Sequence, residues 1–329
     1  MVELLFAGGG IKMKLQTCLC ELLNIEYPLI QGAMAWIAGG KLAAAVSEAG
    51  ALGVIGTGNG SADWLKQEID SACSGTDKPF GVNLMLASPF IEEIIDLVIA
   101  SKVPVVTTGG GNPGRYMDKL KDAGIKVMPV VASQTLARRL TRLGADAIIA
   151  EGSESGGHVG EMTTMCLVPM LVDAVDVPVV AAGGIADGRG FMAALALGAA
   201  GIQMGTRFIC ARECNAHPLY QEKIIKAGDR DTLICGLTTN HPVRAIHNRF
   251  TRQYLQAEAS GASREELDKL ANGRYPRAAM QGEVNEGTLL AGQVCGLVKK
   301  VEPAAAIVED MVRDVLQVKQ RLEGLSCHV

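Results

Sequence analysis

The chain is poor in aromatic residues, since Phe, Trp and Tyr together make up 4% of its 329 residues. With 39 glycines and many small aliphatic residues, this composition suits closely packed parallel strands and helices better than an aromatic-rich binding surface. Positive charge is not in excess either, because the net charge at pH 7 is −4. We therefore expect no nucleic-acid partner of the kind that is bound by neutralising phosphates.

The nine cysteines follow neither a disulfide-like nor a zinc-like spacing, and the chain has five histidines. This argues against a metal site and favours reduced, buried thiols in a cytoplasmic protein. No signal-peptide pattern stands near the start, and the longest charge-free stretch, residues 190–206, contains internal glycines and Gln203. That stretch predicts a helix followed by a buried strand, so we expect no membrane association.

Short apolar, β-branched runs recur along the first two thirds of the chain. Continuous apolar runs without alternation are typical of strands buried on both faces. Segments between them, such as KLAAAVSEAG and SQTLARRLTRLG, have helical periodicity and end in Gly. Eight strands alternating with helices predict an α/β fold of the (β/α)8 TIM barrel type, with an open doubly wound sheet as the alternative. The eight runs are residues 27–32, 51–56, 80–85, 103–109, 126–131, 147–152, 178–184 and 201–206.

The strand pattern stops after Thr206, and the remaining residues have mainly helical patterns that end in the amphipathic segment EPAAAIVEDMVRDVLQVKQRL. We therefore expect an N-terminal extension over residues 1–12 and a barrel over residues 13–215. A helical substrate-binding or lid portion follows over residues 216–329, and its last helices are expected to pack back on the barrel.

Glycines at the ends of the last two predicted strands indicate a phosphate site. Gly183 and Gly184 end the seventh run directly before a helix, and Gly205 and Thr206 end the eighth. Backbone N–H groups of adjacent loops bind anions, and TIM barrels use this region for phosphate. A substrate phosphate and the phosphate of flavin mononucleotide (FMN) fit equally well, whereas some strand-end glycines only terminate strands.

Asn83, at the end of the third run, favours FMN. Its amide offers a donor and an acceptor at one tip, which suits the edge of a pyrimidine-like ring, although such a residue also caps loops. No Lys ends any predicted strand, which argues against Schiff-base chemistry. No paired carboxylates face each other at strand ends, which argues against a glycosidase.

His158 stands in the turn EGSESGGHVG, after the sixth run. Gly156 and Gly157 add no side chain to a core but allow a close approach of the backbone. An imidazole beside such an opening can donate a proton near neutral pH, so we predict that His158 is catalytic. His241 becomes a further candidate if the lid folds over the pocket.

Six ordered motifs resemble those of the flavin-dependent, FabK-like enoyl-acyl-carrier-protein reductases of type II. They also resemble those of the sister family, the nitronate monooxygenases or 2-nitropropane dioxygenases. QGAMAW, the AEG before the Ser-Glu-Ser turn, and VRAIHN look more like the reductase, since the monooxygenases more often carry Gln at the position of Glu151. The motifs are QGAMAW, FGVNLML, TTGGGNP, AEGSESGGHVG, AAGGIADG and QMGTRF, and the likeness runs from about Met13 to the end.

The resemblance implies an FMN-dependent enzyme that uses NADH or NADPH to reduce trans-2-enoyl thioesters in bacterial fatty acid elongation. It assigns catalysis to His158 and implies a homodimer, an acyl-carrier protein as partner and a monovalent cation as a further ligand. Arg138, Arg139 and Arg142 on one predicted helix would meet an acidic carrier, unless they form an ordinary solvated face. The implied FMN-binding residues are Gly32, Ala33, Met34, Asn83, Glu151, Gly156, Gly157, Gly183, Gly184, Gln203, Met204, Gly205 and Thr206.

Two other functions stay open. A nitronate monooxygenase would use the same histidine to abstract a proton, and a non-catalytic flavin- or phosphate-binding barrel would use the same loops.

Overall fold

Eight parallel strands form a closed barrel at the centre of the molecule. The computed structural model describes residues 2–7 and 10–324, with side chains from Leu15 onward. Closure confirms the predicted TIM barrel over the open sheet, and each predicted run contains one strand. In order, the barrel strands are Leu29–Gln31, Leu52–Gly56, Gly81–Met85, Val105–Gly109, Lys126–Val131, Ile148–Glu151, Val179–Ala182 and Gly201–Met204.

The apolar runs form strands because both faces are covered, one by the barrel interior and the other by helices. Every residue of Leu52–Gly56 and Val179–Ala182 is buried. Gln31 is a fully buried polar exception in the first strand. Its side chain accepts a hydrogen bond from the Val54 N–H at 3.1 Å and donates one to the Val54 carbonyl at 3.2 Å. The buried amide is therefore satisfied, and it links the first two strands.

Three helices of the outer layer begin at side-chain caps. The side chains of Ser61, Ser133 and Asp187 accept hydrogen bonds from backbone N–H groups of the first turn. Short helices also occur at Cys18–Leu23 and Thr206–Ile209, and a 3-10 turn at Pro113–Tyr116. The layer comprises Gly40–Glu48, Ala62–Gly75, Ile91–Ala100, Met117–Asp122, Gln134–Arg142, Thr164–Val172, Gly188–Ala196 and Ala304–Glu323.

The long helix Ala304–Glu323 takes the place of the eighth barrel helix. It packs against Gly188–Ala196 and Gly40–Glu48, the seventh and first helices of the layer. A Cβ on Gly188 would lie 2.4 Å from the Asp314 Cβ, so glycine permits the close crossing of two helices. The predicted amphipathic segment thus forms a helix of the outer layer.

Residues 210–303, called the cap below, are inserted between the eighth barrel strand and this helix. The sequence predicts a mainly helical portion here, but the structure also contains a three-stranded antiparallel sheet. Its strands are Thr232–Cys235, Val243–Ile246 and Gly157–His158, so the loop carrying the predicted catalytic histidine supplies an edge strand. The cap helices are Pro218–Lys226, Arg249–Ala259, Arg264–Ala271 and Arg274–Gln281, with a 3-10 turn at Gln293–Leu297.

An antiparallel hairpin of Val2–Ala7 and Gly10–Leu15 precedes the barrel and crosses the predicted boundary after residue 12. The division into residues 1–12, 13–215 and 216–329 stays a prediction; residues 1, 8, 9 and 325–329 lie outside the described part. Among the helices of residues 10–324, none combines the length and the apolar content that a bilayer crossing requires.

Candidate active site

A pocket of about 1240 Å³ opens at the carboxyl ends of the barrel strands and is roofed by the cap. The structure brings all the predicted site residues together along its wall, including the predicted catalytic His158. His241, a candidate only if the lid folded over the pocket, also lines the pocket. The predicted residues on this wall are Gly32, Ala33, Met34, Asn83, Glu151, Gly156, Gly157, His158, Gly183, Gly184, Gln203, Met204, Gly205 and Thr206.

Consecutive left-handed glycines form the turn after the seventh strand. Gly183 has φ of +91° and Gly184 has φ of +74°. A Cβ on Gly183 would lie 3.0 Å from the Gly152 carbonyl oxygen, so the turn leaves no room for a side chain there. Successive N–H groups in such a turn create a concave site for an anion.

The floor beside this turn is open. A Cβ on Gly205 would meet nothing closer than Met34, at 3.9 Å. The Ser155 side chain is buried on the pocket wall, and its Oγ lacks a hydrogen-bond partner of normal geometry among the described residues. An anion cradle and an open floor beside it fit the phosphate group of FMN.

Asn83 lines the pocket with its amide held in one orientation. Its Nδ2 donates a hydrogen bond to Thr107 Oγ1 at 2.9 Å, and its backbone carbonyl accepts one from Thr57 Oγ1 at 2.8 Å. The fixed amide keeps a second N–H and a side-chain oxygen for a ligand, which agrees with the predicted contact to a ring edge.

Glu151 ends the sixth barrel strand with its carboxyl group in a desolvated position. Burial raises the pKa of Glu151 to about 7, and the nearby Ser155 hydroxyl opposes this rise. Burial disfavours the charged carboxylate. Near neutral pH the carboxyl group of Glu151 is therefore protonated and uncharged in a substantial fraction of the molecules. No local sequence pattern predicts this protonation.

The loop that carries His158 is fixed at two points. The Glu154 carboxylate accepts hydrogen bonds from Thr164 N at 2.9 Å and from Thr164 Oγ1 at 2.9 Å, which caps helix Thr164–Val172. From the other side, Arg244 Nε donates to the Ser153 carbonyl at 2.9 Å. The cap and a barrel helix together determine where the loop lies.

The His158 imidazole is exposed toward the pocket. Partial desolvation by the surrounding protein, with a smaller contribution from His241, lowers the pKa of His158 below its usual value near 6.5. At neutral pH the ring is therefore mostly uncharged. It can accept a proton at once, whereas it donates one from a minor imidazolium population.

Several side chains of the cap wall were not predictable from sequence patterns. Phe250, Tyr254 and Tyr275 line the pocket, and Arg244 holds the His158 loop. The segment VRAIHN contains Arg244. In the sequence, this segment was notable only for its resemblance to the reductase family. The described residues contain no group of three or more His, Cys, Asp or Glu side chains placed to hold a metal ion.

Comparisons with known proteins agree on one family. The sequence profile of the nitronate monooxygenase family matches residues 16–95 and 87–314. A protein named "Probable nitronate monooxygenase" from Staphylococcus saprophyticus is 35% identical over 94% of this chain and 100% of its own length.

Two further relatives carry other names. The solved structure of FabK from Thermotoga maritima superposes with a TM-score of 0.92 at 46% identity, covering 94% of this chain and 99% of that chain. A Rhodococcus jostii protein is 31% identical over 95% of this chain and 98% of its own length. It is named (3aS,4S,5R,7aS)-5-hydroxy-7a-methyl-1-oxo-octahydro-1H-indene-4-carboxyl-CoA dehydrogenase.

Proposed function

The chain belongs to the nitronate monooxygenase family and is a flavin-dependent oxidoreductase, and we propose that it reduces trans-2-enoyl thioesters with NADH or NADPH. The observation that carries this proposal is the likeness to FabK, the type II enoyl-acyl-carrier-protein reductase, at 46% identity over nearly the whole of both chains. The identity to the staphylococcal nitronate monooxygenase is lower, at 35%.

The barrel side of the pocket would hold FMN. Gly183, Gly184 and Gly205 would bind its phosphate through backbone N–H groups, and Asn83 and Glu151 would face its ring. When bound, FMN would supply hydride transfer from the reduced nicotinamide to the β-carbon of the enoyl thioester. The protein's own task is to exclude water, orient the thioester and supply the proton.

His158 would give that proton to the α-carbon, which completes the saturated acyl chain. Because the pKa of His158 lies below 6.5, the donating imidazolium becomes scarcer as the pH rises through that pKa. Phe250, Tyr254 and Leu290 of the cap would cover the apolar acyl chain.

Nitronate oxidation is the second candidate, and the lowered pKa of His158 favours it. A neutral imidazole is ready to abstract a proton, which is the role that the family resemblance implies for a monooxygenase. The two candidates therefore require opposite protonation states of one residue.

Purified protein with bound FMN tests both candidates. We expect a flavin absorption spectrum and NADH consumption that rises sharply when a crotonyl thioester is added. The reduction rate should fall as pH rises through the pKa of His158, whereas oxidation of a neutral nitroalkane, which must first lose its α-proton to the neutral imidazole, should rise over the same range. NADH oxidation that ignores the thioester, together with oxygen consumption on a nitronate, would favour the monooxygenase. A colourless protein that does not bind FMN would contradict both.

We also infer an acyl-carrier protein as the physiological carrier, in a cytoplasmic homodimer that uses a monovalent cation. Arg138, Arg139 and Arg142 are exposed on helix Gln134–Arg142, and Leu136 of the same helix lines the pocket. Changing the three arginines to Glu should raise the KM for a carrier-bound substrate and leave the KM for the matching CoA thioester unchanged. Equal effects on both substrates would contradict a carrier contact.

A further inference from the structure

The cap brings a second histidine to the pocket beside His158. Val243 pairs with His158 across the cap sheet, and the Val159 N–H donates to the Pro242 carbonyl at 3.1 Å. His241 precedes this pairing by two residues and lines the same pocket. The two rings are close enough that His241 adds to the effect of burial in lowering the pKa of His158. One substrate can therefore contact both rings.

His241 is held in place by a tight loop. Its N–H donates to the Gly236 carbonyl at 3.2 Å, and a Cβ on Gly236 would lie 2.5 Å from the His241 carbonyl oxygen. The Glu258 carboxylate accepts hydrogen bonds from Gly236 N at 3.2 Å and from Thr238 N at 2.9 Å. The loop therefore has a defined conformation at the pocket mouth.

Arg264 determines which ring nitrogen of His241 carries the proton. Its Nη2 lies 2.8 Å from His241 Nε2. A guanidinium can only donate, so Nε2 accepts and the proton of the neutral ring is on Nδ1. Arg264 is the first residue of helix Arg264–Ala271, whose start is fixed by the capping box of Ser263 and Glu266. The Asp268 carboxylate lies 3.6 Å from Arg264 Nε.

We propose that His241 is a second substrate-contacting residue, whose Nδ1–H donates a hydrogen bond to the oxygen on which negative charge develops. In the function proposed above, on which this role rests, that atom is the thioester carbonyl oxygen. Arg264 is a positioning residue that acts through His241. The arrangement divides the work between two imidazoles, since His158 exchanges the proton and His241 stabilises charge without changing its own protonation.

Side-chain NMR of the full-length protein, labelled with 13C and 15N, tests the arrangement without any turnover. At pH 8 the shifts of His241 should report the Nδ1–H tautomer, and Arg264→Ala should abolish that preference. Glu265→Ala, an exposed neighbour on the same helix, is the matched control and should change nothing. An Nε2–H ring in the unaltered protein would overturn the proposal, whatever the enzyme's activity.

Kinetics with a crotonyl thioester test the role. His241→Ala should lower kcat by about 10²-fold with little change in KM, the scale for losing one oxyanion donor. His241→Gln keeps an N–H group and should restore part of the loss. A change in KM alone, or no recovery with Gln while FMN content and folding are intact, would overturn the role. If the unaltered protein ignores every enoyl thioester, the proposed function fails, while the NMR result still decides the tautomer.

Discussion

The two walls of the pocket are made of different chemical groups. The barrel wall after the last two strands presents backbone, because Gly183, Gly184 and Gly205 carry no side chains. The cap wall presents side chains, among them His241 and Tyr254. Backbone N–H groups bind a phosphate with little regard to what is attached to it, whereas side chains select and act on a particular substrate. We therefore expect that substitutions on the two walls can change cofactor binding and substrate chemistry separately.

The largest expected effect lies at His158, in the barrel loop that pairs with the cap sheet. His158→Ala should lower turnover by about 10²-fold or more, the usual scale for a positioned proton-transfer group, and leave FMN bound. Steady-state rates per bound flavin, with flavin content from absorbance, measure this. His247→Ala, an exposed histidine of the cap outside this pocket, serves as the control. Loss of FMN with normal turnover per bound flavin would show that His158 contributes to cofactor binding and not to substrate chemistry.

Glu151 is an ionisable side chain on the barrel wall. Its folded-state pKa of about 7 exceeds the ordinary 4.5, so the folded protein loses stability as pH rises from 4.5 to 7. Glu151→Gln should therefore raise the free energy of unfolding by up to about 3 kcal/mol above pH 7, and by little near pH 4.5. Urea unfolding of FMN-free protein at both pH values measures this, with exposed Glu93→Gln as control. An equal gain at both pH values would contradict the assigned burial effect.

Two glycines of the barrel wall should respond differently to the same added methyl group. Gly183→Ala forces a side chain into φ of +91° and against Gly152, so it should cost about 1–3 kcal/mol of stability. Gly205→Ala meets open space, so it should keep the melting temperature of FMN-free protein and weaken FMN binding. Thermal unfolding and fluorescence titration with FMN separate the two. Unchanged FMN affinity in Gly205→Ala would place the phosphate elsewhere.

The smallest expected effect concerns the contact between the walls. Arg244→Lys keeps the positive charge but removes the Nε–H that donates to the Ser153 carbonyl. It also removes the hydrogen bond from Nη1 to Thr232 Oγ1 at 3.3 Å. We expect a stability loss of about 1–2 kcal/mol and faster hydrogen exchange at Gly157. Arg252→Lys, on an exposed helix face, is the matched control. Unaltered exchange at Gly157 would show that the loop holds its place without the cap.

The barrel was predictable because each of its strands has a recognisable apolar pattern in its own short segment of sequence. Runs such as ALGVIG and PVVAAGG are apolar throughout, and burial on both faces follows from that pattern alone. The strand-end residues then meet at one rim through topology, which is why Asn83, Glu151 and Gly183 were found together. Their binding roles stay predictions.

The cap sheet was not predictable in the same way. TLIC and VRAI are four residues long, with no clear alternation, and Gly157–His158 is a two-residue strand. Thr232–Cys235 and Val243–Ile246 are joined by residues 236–242, whereas Gly157–His158 pairs with Val243–Ile246 across a long stretch of chain, a pairing that tertiary contacts determine. The raised pKa of Glu151 and the lowered pKa of His158 likewise arise from surroundings that no local motif contains.

The order in which the parts are synthesised has a consequence for how the enzyme matures. The last barrel strand is complete at Met204, but the strand that flanks His158 starts at Val243, and the helix that closes the barrel layer starts at Ala304. A nascent chain on the ribosome therefore has every barrel strand before it has the neighbour that fixes its predicted catalytic residue. Competence for turnover therefore cannot precede synthesis of the cap.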